Sequence, residues 1–192
     1  MNYPGTTYNI FPLGDSAVTV DFGNIINDAV NREVIARFSQ LQQQPLPGII
    51  ELVPAYSSLT IYYDVLLLKK QVPHGQNVFE WIREQLEKRL QEVIQYNQQD
   101  EKLIKIPVCY QEEFSPDLQL MAAAKKLSAG EIITIHTSKQ YKVYMLGFLP
   151  GFAYMGEVDE KITMPRKPQP QNVLAGSVGI AGKQTGIYPM AS

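Results

Sequence analysis

Along the first third of the chain, apolar and polar positions alternate and then recur at helical spacing. In YNIFPLGDSAVTVDFG (8–23), Ala17, Thr19 and Asp21 alternate with Val18, Val20 and Phe22, which predicts two short strands around a Pro-Leu-Gly-Asp turn. Asn27 stands where a helix needs a cap. Val30, Val34, Phe38 and Leu41 then recur at spacings of four, four and three, one stripe of a helix that Pro45 and Pro47-Gly48 bring to a stop. IIELVP (49–54) and SLTIYYD (58–64) read as strands. Val78, Ile82, Leu86, Leu90 and Val93 form one face of a second, longer helix, with Glu84 and Lys88 paired at i, i+4 on its solvated side. The order strand, strand, helix, strand, strand, helix predicts an α+β sandwich domain in which two helices cover one antiparallel sheet.

The polar run YNQQDEK (96–102) marks a domain boundary, giving an α+β sandwich domain over 1–100 and a second domain over 103–192. LIKIPVCY (103–110) reads as a strand that would bury Cys109 as a small hydrophobe. Ser115-Pro116-Asp117 supplies a cap and a proline at the first helical position for a short helix through Ala122 to Lys126. Ser128 and Glu131 fit a capping box, so SAGEIITIHT is expected to be helical despite its β-branched residues. YKVYML (141–146) alternates as a strand. From Gly147 the texture changes: seven of the thirteen glycines fall in the last 46 residues, and no Asp or Glu follows Glu160. Glycines 176, 179, 182 and 186 are too frequent for a helix but suit strands that bend round a small barrel or lie close to a ligand, so this half is expected to be mostly β.

Composition narrows the function classes. With 45% hydrophobic residues in 192, the chain can build a real core. Seventeen basic against nineteen acidic residues leave a net charge of -2 and no basic block, which argues against a nucleic-acid partner. No apolar run is long enough to span a bilayer, and no charged start precedes a hydrophobic stretch, so the expectation is a cytoplasmic protein without a membrane partner. Cys109 is the only cysteine, which excludes an intrachain disulfide. Two histidines 62 residues apart, with no carboxylate near the glycine-rich region, supply too few ligands for a metal site.

Several stretches carry candidate chemistry. SVGIAGKQT looks like a phosphate loop but has Ser177 in the first glycine position and Gln184 after Lys183, and no helix pattern follows. What remains is a polar group in glycine-rich backbone, Ser177, Lys183, Gln184, Thr185 and Tyr188, able to hold a carboxylate or oxyanion, or else simply a set of solvated turns. His136 is either an imidazole titrating near neutrality beside that region or one that packs and caps a helix end; pairing it with Cys109 as base and nucleophile is the weaker alternative. His74 sits in an exposed turn. MPRKPQPQ (164–171) is a stiff connector that could also bring Arg166 to an anionic group.

The stretch YKVYMLGFLPGFAYMGEVDEKITMPRKPQPQNVLAGSVGIAGKQTGIYP resembles the signature of the family that takes in allophanate hydrolase subunit 1, the B subunit of 5-oxoprolinase and the KipI kinase inhibitor. IPVCY and PDL stand in the same order upstream, so the resemblance covers essentially the whole chain. It implies a cyclophilin-like β-barrel as the second domain, apparently incomplete here because family members continue past GIYP into further strands. It also implies a homologous C subunit and an A subunit as partners, and ATP used at the level of the complex to open 5-oxoproline to glutamate. Relatives act instead in carboxyl transfer of the urea carboxylase type or inhibit a histidine kinase. By motif position the resemblance makes His136 an acid/base and Lys183 a catalytic group. GFLPGF, with Phe148, Gly151 and Phe152, becomes a pocket wall or partner face, and Arg166, Ser177, Gln184, Thr185 and Tyr188 become substrate or phosphate contacts.

Overall fold

The computed structural model describes residues 7–94 and 102–192. Of the polar run read as a boundary, only Lys102 lies within them. The chain divides into two compact units, 1–101 and 102–192.

In the first unit β1 (Asn9–Pro12), β2 (Ala17–Asp21), β3 (Ile49–Pro54) and β4 (Ser58–Tyr63) form one antiparallel sheet in the order β1-β2-β4-β3. Val18 lies opposite Ile61 and Val20 opposite Leu59, so the alternation of both strands points the same way. All four side chains are sealed in the core. Each contributes about 1.5–3 kcal/mol by leaving water. The core's other wall is α1 (Asp28–Gln43) and α3 (Val78–Gln91), which bring Val34, Leu41, Ile82 and Leu86. Both helices begin at an asparagine: Asn27 Oδ1 accepts from the N–H groups of Ala29 and Val30, and Asn77 forms a capping box with Glu80. The end of α3 is two residues short of the expected stripe, because Glu92 turns to extended backbone and leaves Val93 79% exposed. A short helix, α2 (Val65–Lys69), was not legible in the periodicity; Asp64 caps it and Leu68 anchors it in the core.

The two long helices are joined by a buried cation. Arg37 on α1 pairs with Glu33 at 2.8 Å and donates to the carbonyls of Arg89, Leu90 and Glu92, each at 2.9 Å. Those carbonyls belong to the last turn of α3 and its cap, where backbone acceptors run short of helical partners, only that of Arg89 being met by the Glu92 N–H, and the dipole favours positive charge.

The second unit contains α4 (Leu118–Lys125), α5 (Ala129–Thr137) and a sheet of β5 (Lys142–Leu146), β6 (Ala153–Gly156), β7 (Val178–Ala181) and β8 (Gln184–Ile187), antiparallel in the order β5-β6-β8-β7. The sheet is open, with β5 and β7 as its edges. The capping box of Ser128 and Glu131 forms, and the hydrogen bonds from Ser128 hold the Glu131 carboxyl below its ordinary pKa. Ala122, Ile132, Val158 and Ile162 make a small core between the helices and a 3-10 turn at Glu160–Ile162.

Three expectations for this unit are corrected. It is not mostly β, since helix and strand contribute equally. Residues 103–110 form no strand: Leu103, Ile104 and Ile106 are all more than half exposed, and without a ladder partner their backbone gains nothing from strand geometry. Cys109 is therefore exposed rather than buried. Helix α4 starts at Leu118, with Asp117 in the cap position and Pro116 outside it, because the Ser115 hydroxyl donates to the carbonyls of Tyr110 and Gln111 instead of capping.

Replacing Arg37 by Met leaves the Glu33 carboxylate buried without its cation and takes the guanidinium donor from the Leu90 and Glu92 carbonyls, while the Arg89 carbonyl keeps the Glu92 N–H. The variant is expected to lose about 3–5 kcal/mol of stability, read as a fall in the urea midpoint. The double change Glu33→Gln with Arg37→Met should recover part of that loss, since the orphaned charge is gone.

Candidate functional site

The loop between β5 and β6 is the uncharged segment 147–152. Gly147 N–H donates to the Phe152 carbonyl at 3.2 Å and Phe152 N–H to the Leu149 carbonyl at 2.9 Å, folding GFLPGF back on itself. Gly151 has φ +81, open to glycine, but Phe148 has φ +66, which a side chain adopts only under constraint. Phe148 is exposed and Phe152 buried. Around Phe152 the rings of Tyr154, Tyr188 and Phe148 stand edge-on with centroids 4.6, 4.8 and 5.7 Å away. The ring also lies against bare backbone. A Cβ on Gly186 would come within 2.5 Å of it, so any other residue there would force the ring to shift.

The second element is the β7–β8 hairpin, whose two-residue turn is Gly182-Lys183. Gly182 alone has positive φ, +63, the pattern of a type II′ turn. The SVGIAGKQT stretch is thus two strands and a turn, not a phosphate loop. Lys183 projects from the turn and pairs loosely with Glu160 at 3.6 Å, both exposed. Lys125 and Thr163 face the same open cleft of about 450 Å³, with the Lys125 ammonium donating to the Thr163 hydroxyl at 3.3 Å. A cleft with two ammonium groups and one carboxylate suits a carboxylate or phosphate group.

His136 lies in the last turn of α5. Its Nδ1 is 2.5 Å from the Tyr110 phenol oxygen, and its backbone carbonyl accepts from the Tyr141 hydroxyl at 2.9 Å. Burial pushes the imidazole pKa below its ordinary value and raises those of both phenols, Tyr141 also feeling Tyr110 and Asp159.

Of the residues singled out by sequence, Phe148, Phe152 and Tyr188 come together, with Gly151 against Pro189 beside them. Ser177 joins that group through its backbone, its carbonyl accepting from Tyr188 N–H at 2.9 Å. Lys183 and Gln184 stand at the far end of the hairpin. Thr185 is buried and spends its hydroxyl on the Gly179 carbonyl, a contact inside the sheet. Arg166 is exposed on the connector, whose neighbour Lys167 is tied to Asp117 at 2.8 Å. Among the described residues no hydrogen bond or ring contact links His136 to Cys109, Lys183 or the aromatic group, and no cluster of three His, Cys, Asp or Glu suited to a metal occurs. Lys125 and Tyr110 escaped the sequence reading, because no spacing rule connects Lys125 to Lys183 or Tyr110 to His136.

The family profile "Carboxyltransferase domain, subdomain C and D" matches residues 8–192. The chain belongs to that family. It is similar to the B subunit of 5-oxoprolinase from Bacillus subtilis (strain 168), 45% identical over 187 residues that cover 96% of this chain and 78% of that protein. Among solved structures, TTHA0988 superposes with a TM-score of 0.76 at 33% identity over 92% of this chain, which spans about a third of the TTHA0988 chain. The Kluyveromyces lactis urea carboxylase shares the fold, with a TM-score of 0.74 at 15% identity over 100% of this chain and 19% of its own. No helix among the described residues is long and apolar enough to cross a membrane.

Gly186→Ala should displace the Phe152 ring and cost about 1–3 kcal/mol, seen as a lower melting temperature. Adding Phe152→Leu should relieve much of that cost, so the two substitutions are expected to be far from additive.

Proposed function

We propose that this chain is the B subunit of an ATP-dependent 5-oxoprolinase, acting with A and C subunits in the cytoplasm to hydrolyse 5-oxo-L-proline to L-glutamate. The observation that carries the reading is the extent of similarity to the 5-oxoprolinase component of B. subtilis, 45% over nearly the whole chain. Likeness to urea carboxylase lies in the fold alone at 15% identity, so carboxyl transfer has no comparable support. The open sheet with β5 and β7 as edges is read as part of a cyclophilin-like barrel, closed by further strands or by a partner chain.

The chemistry of the site suits the task. A lactam is a poor electrophile; phosphorylating its oxygen activates the ring carbon, attack by water breaks the C–N bond to leave an acyl phosphate, and a second water attacking that carbonyl builds an oxyanion that donors must hold until phosphate leaves. Lys183, with Lys125 across the cleft, supplies positive donors for a carboxylate or phosphate oxygen. Gln184 adds an amide beside them, and Arg166 can reach in from the connector. Phe148, Gly151, Phe152 and Tyr188 present an apolar wall, to which Ser177 is tied through its backbone. Thr185 supports the hairpin from inside. His136, the only imidazole of the second unit, serves the reacting proton or oxyanion. ATP is assigned to the level of the assembly: the residues that resemble a phosphate loop make a hairpin with no helix behind it, which supports a nucleotide site on another subunit.

Purified chain mixed with A and C subunits should give ATP-dependent glutamate release that stops when the chain is left out. Equal turnover without it would overturn the proposal. Lys183→Ala should lower turnover of the assembly by about tenfold or more while leaving the melting temperature of the chain unchanged, since an exposed turn lysine contributes about 0.5 kcal/mol or less to stability.

A further inference from the structure

The carbonyl end of a helix dipole favours the charged form of a histidine in the last turn. His136 is held differently. Its Nδ1 meets the Tyr110 phenol at 2.5 Å, the two rings crossing at 80°, while the Tyr141 ring lies 5.4 Å away on another side and its hydroxyl fixes the His136 carbonyl. The ionisable groups facing it are these two phenols, and Asp159 is felt only through Tyr141. No carboxylate among the described residues is placed to balance an imidazolium.

The direction of the Tyr110–His136 bond follows from elementary chemistry. A phenol oxygen shares its lone pair with the ring, which makes it a good donor and a poor acceptor, and burial raises the Tyr110 pKa so that it keeps its proton. Nδ1 is the acceptor the hydroxyl meets, since Tyr141 donates to the backbone instead. With Nδ1 accepting, the single proton of the uncharged ring must sit on Nε2. Nε2 itself has no partner among the described residues and is not one of the buried atoms left without one.

We infer that Tyr110 is a positioning residue that fixes the His136 proton on Nε2, so that His136 serves the hydrolysis of the acyl intermediate as a hydrogen-bond donor to the developing oxyanion and not as a base. This use of the donor rests on the 5-oxoprolinase reading; the tautomer does not. An Nε2–H held in place before reaction loses little to reorganisation when negative charge forms on a substrate oxygen. A base at the same atom would need a bare Nε2, which the Tyr110 hydroxyl disfavours by competing for Nδ1. The ligand class is therefore an acyl oxygen, a carbonyl that becomes tetrahedral.

Two measurements test the inference, one on the chain alone. Long-range proton–nitrogen correlation spectra of the labelled chain at neutral pH should show His136 with Nδ1 bare and Nε2 protonated. Tyr110→Phe should shift it toward a mixture of tautomers while the backbone amide spectrum stays that of the folded chain, and His74 should not change. A protonated Nδ1, or a tautomer unaffected by Tyr110→Phe, would overturn the positioning role whether or not the assembly hydrolyses 5-oxoproline. In the assembled enzyme, Tyr110→Phe should lower kcat about tenfold with little change in KM. His136→Phe should lower kcat about a hundredfold, and His136→Gln, which keeps an N–H near the place of Nε2, should recover at least about a tenth of wild-type kcat. A His136→Gln enzyme as inactive as His136→Phe would overturn the donor role and restore the base. An assembly of the wild-type chain that releases no glutamate strikes at the proposed function instead, leaving the spectra to decide Tyr110.

Discussion

The contact of Phe152 with the bare backbone of Gly186 is the constraint from which the candidate site is built. A ring edge lies close to where any side chain's Cβ would stand, so the loop after β5 keeps this closure over β8 undisturbed only while position 186 is glycine. Once Phe152 is seated there, Tyr154 and Tyr188 find edge-on positions against it, and the loop is anchored at its downstream end. That anchoring explains why Phe148 persists at φ +66. A left-handed non-glycine residue costs on the order of 1–3 kcal/mol and survives only where its surroundings over-determine it. Here the short backbone bonds of Gly147 and Phe152 set the turn, and the strained residue holds its ring out toward solvent.

Much of the fold could be read directly. Alternation in 17–22 and 58–63, the stripes of α1 and α3, and the caps at Asn27, Asn77 and Ser128 depend on local chemistry, which a sequence displays openly. What failed depends on a partner. LIKIPVCY has the composition of a strand, but a strand exists only when another one pairs with it, and none of the described strands does. The failure carried Cys109 with it, from the core to the surface. α2 escaped because five residues are too few to display a period.

The site was legible as a set of residue types rather than as an arrangement. Aromatic density in 147–156 pointed to the cluster around Phe152, but the glycine that the ring packs against is Gly186, and nothing in the spacing tells that Phe152 meets it or that Tyr110 meets His136. Thr185 shows the limit from the other side. Its neighbours Lys183 and Gln184 share its polarity, but strand alternation turns Thr185 inward, where its hydroxyl bonds the Gly179 carbonyl. A list of polar residues on a hairpin contains both those that face solvent and those that brace it.

Burial then sorts the charges by role. Arg37 and Glu33 are sealed, and five hydrogen bonds from the guanidinium are shared among Glu33, Gln40 and the end of α3, so exchanging that cation for any other partner would cost several kcal/mol. Lys183 and Glu160 stand 3.6 Å apart in water, where such a pair is worth about 1 kcal/mol or less. On the proposed function, an arriving carboxylate or phosphate would displace Glu160 from Lys183 at little cost and would gain the Lys125 ammonium, for which Thr163 offers only a hydroxyl. With no Asp or Glu after Glu160, this stretch of the chain supplies no second carboxylate to compete for the anion. The pair that holds most tightly is thus the one that builds the fold, and the loosely held lysines are the ones the proposed function assigns to binding.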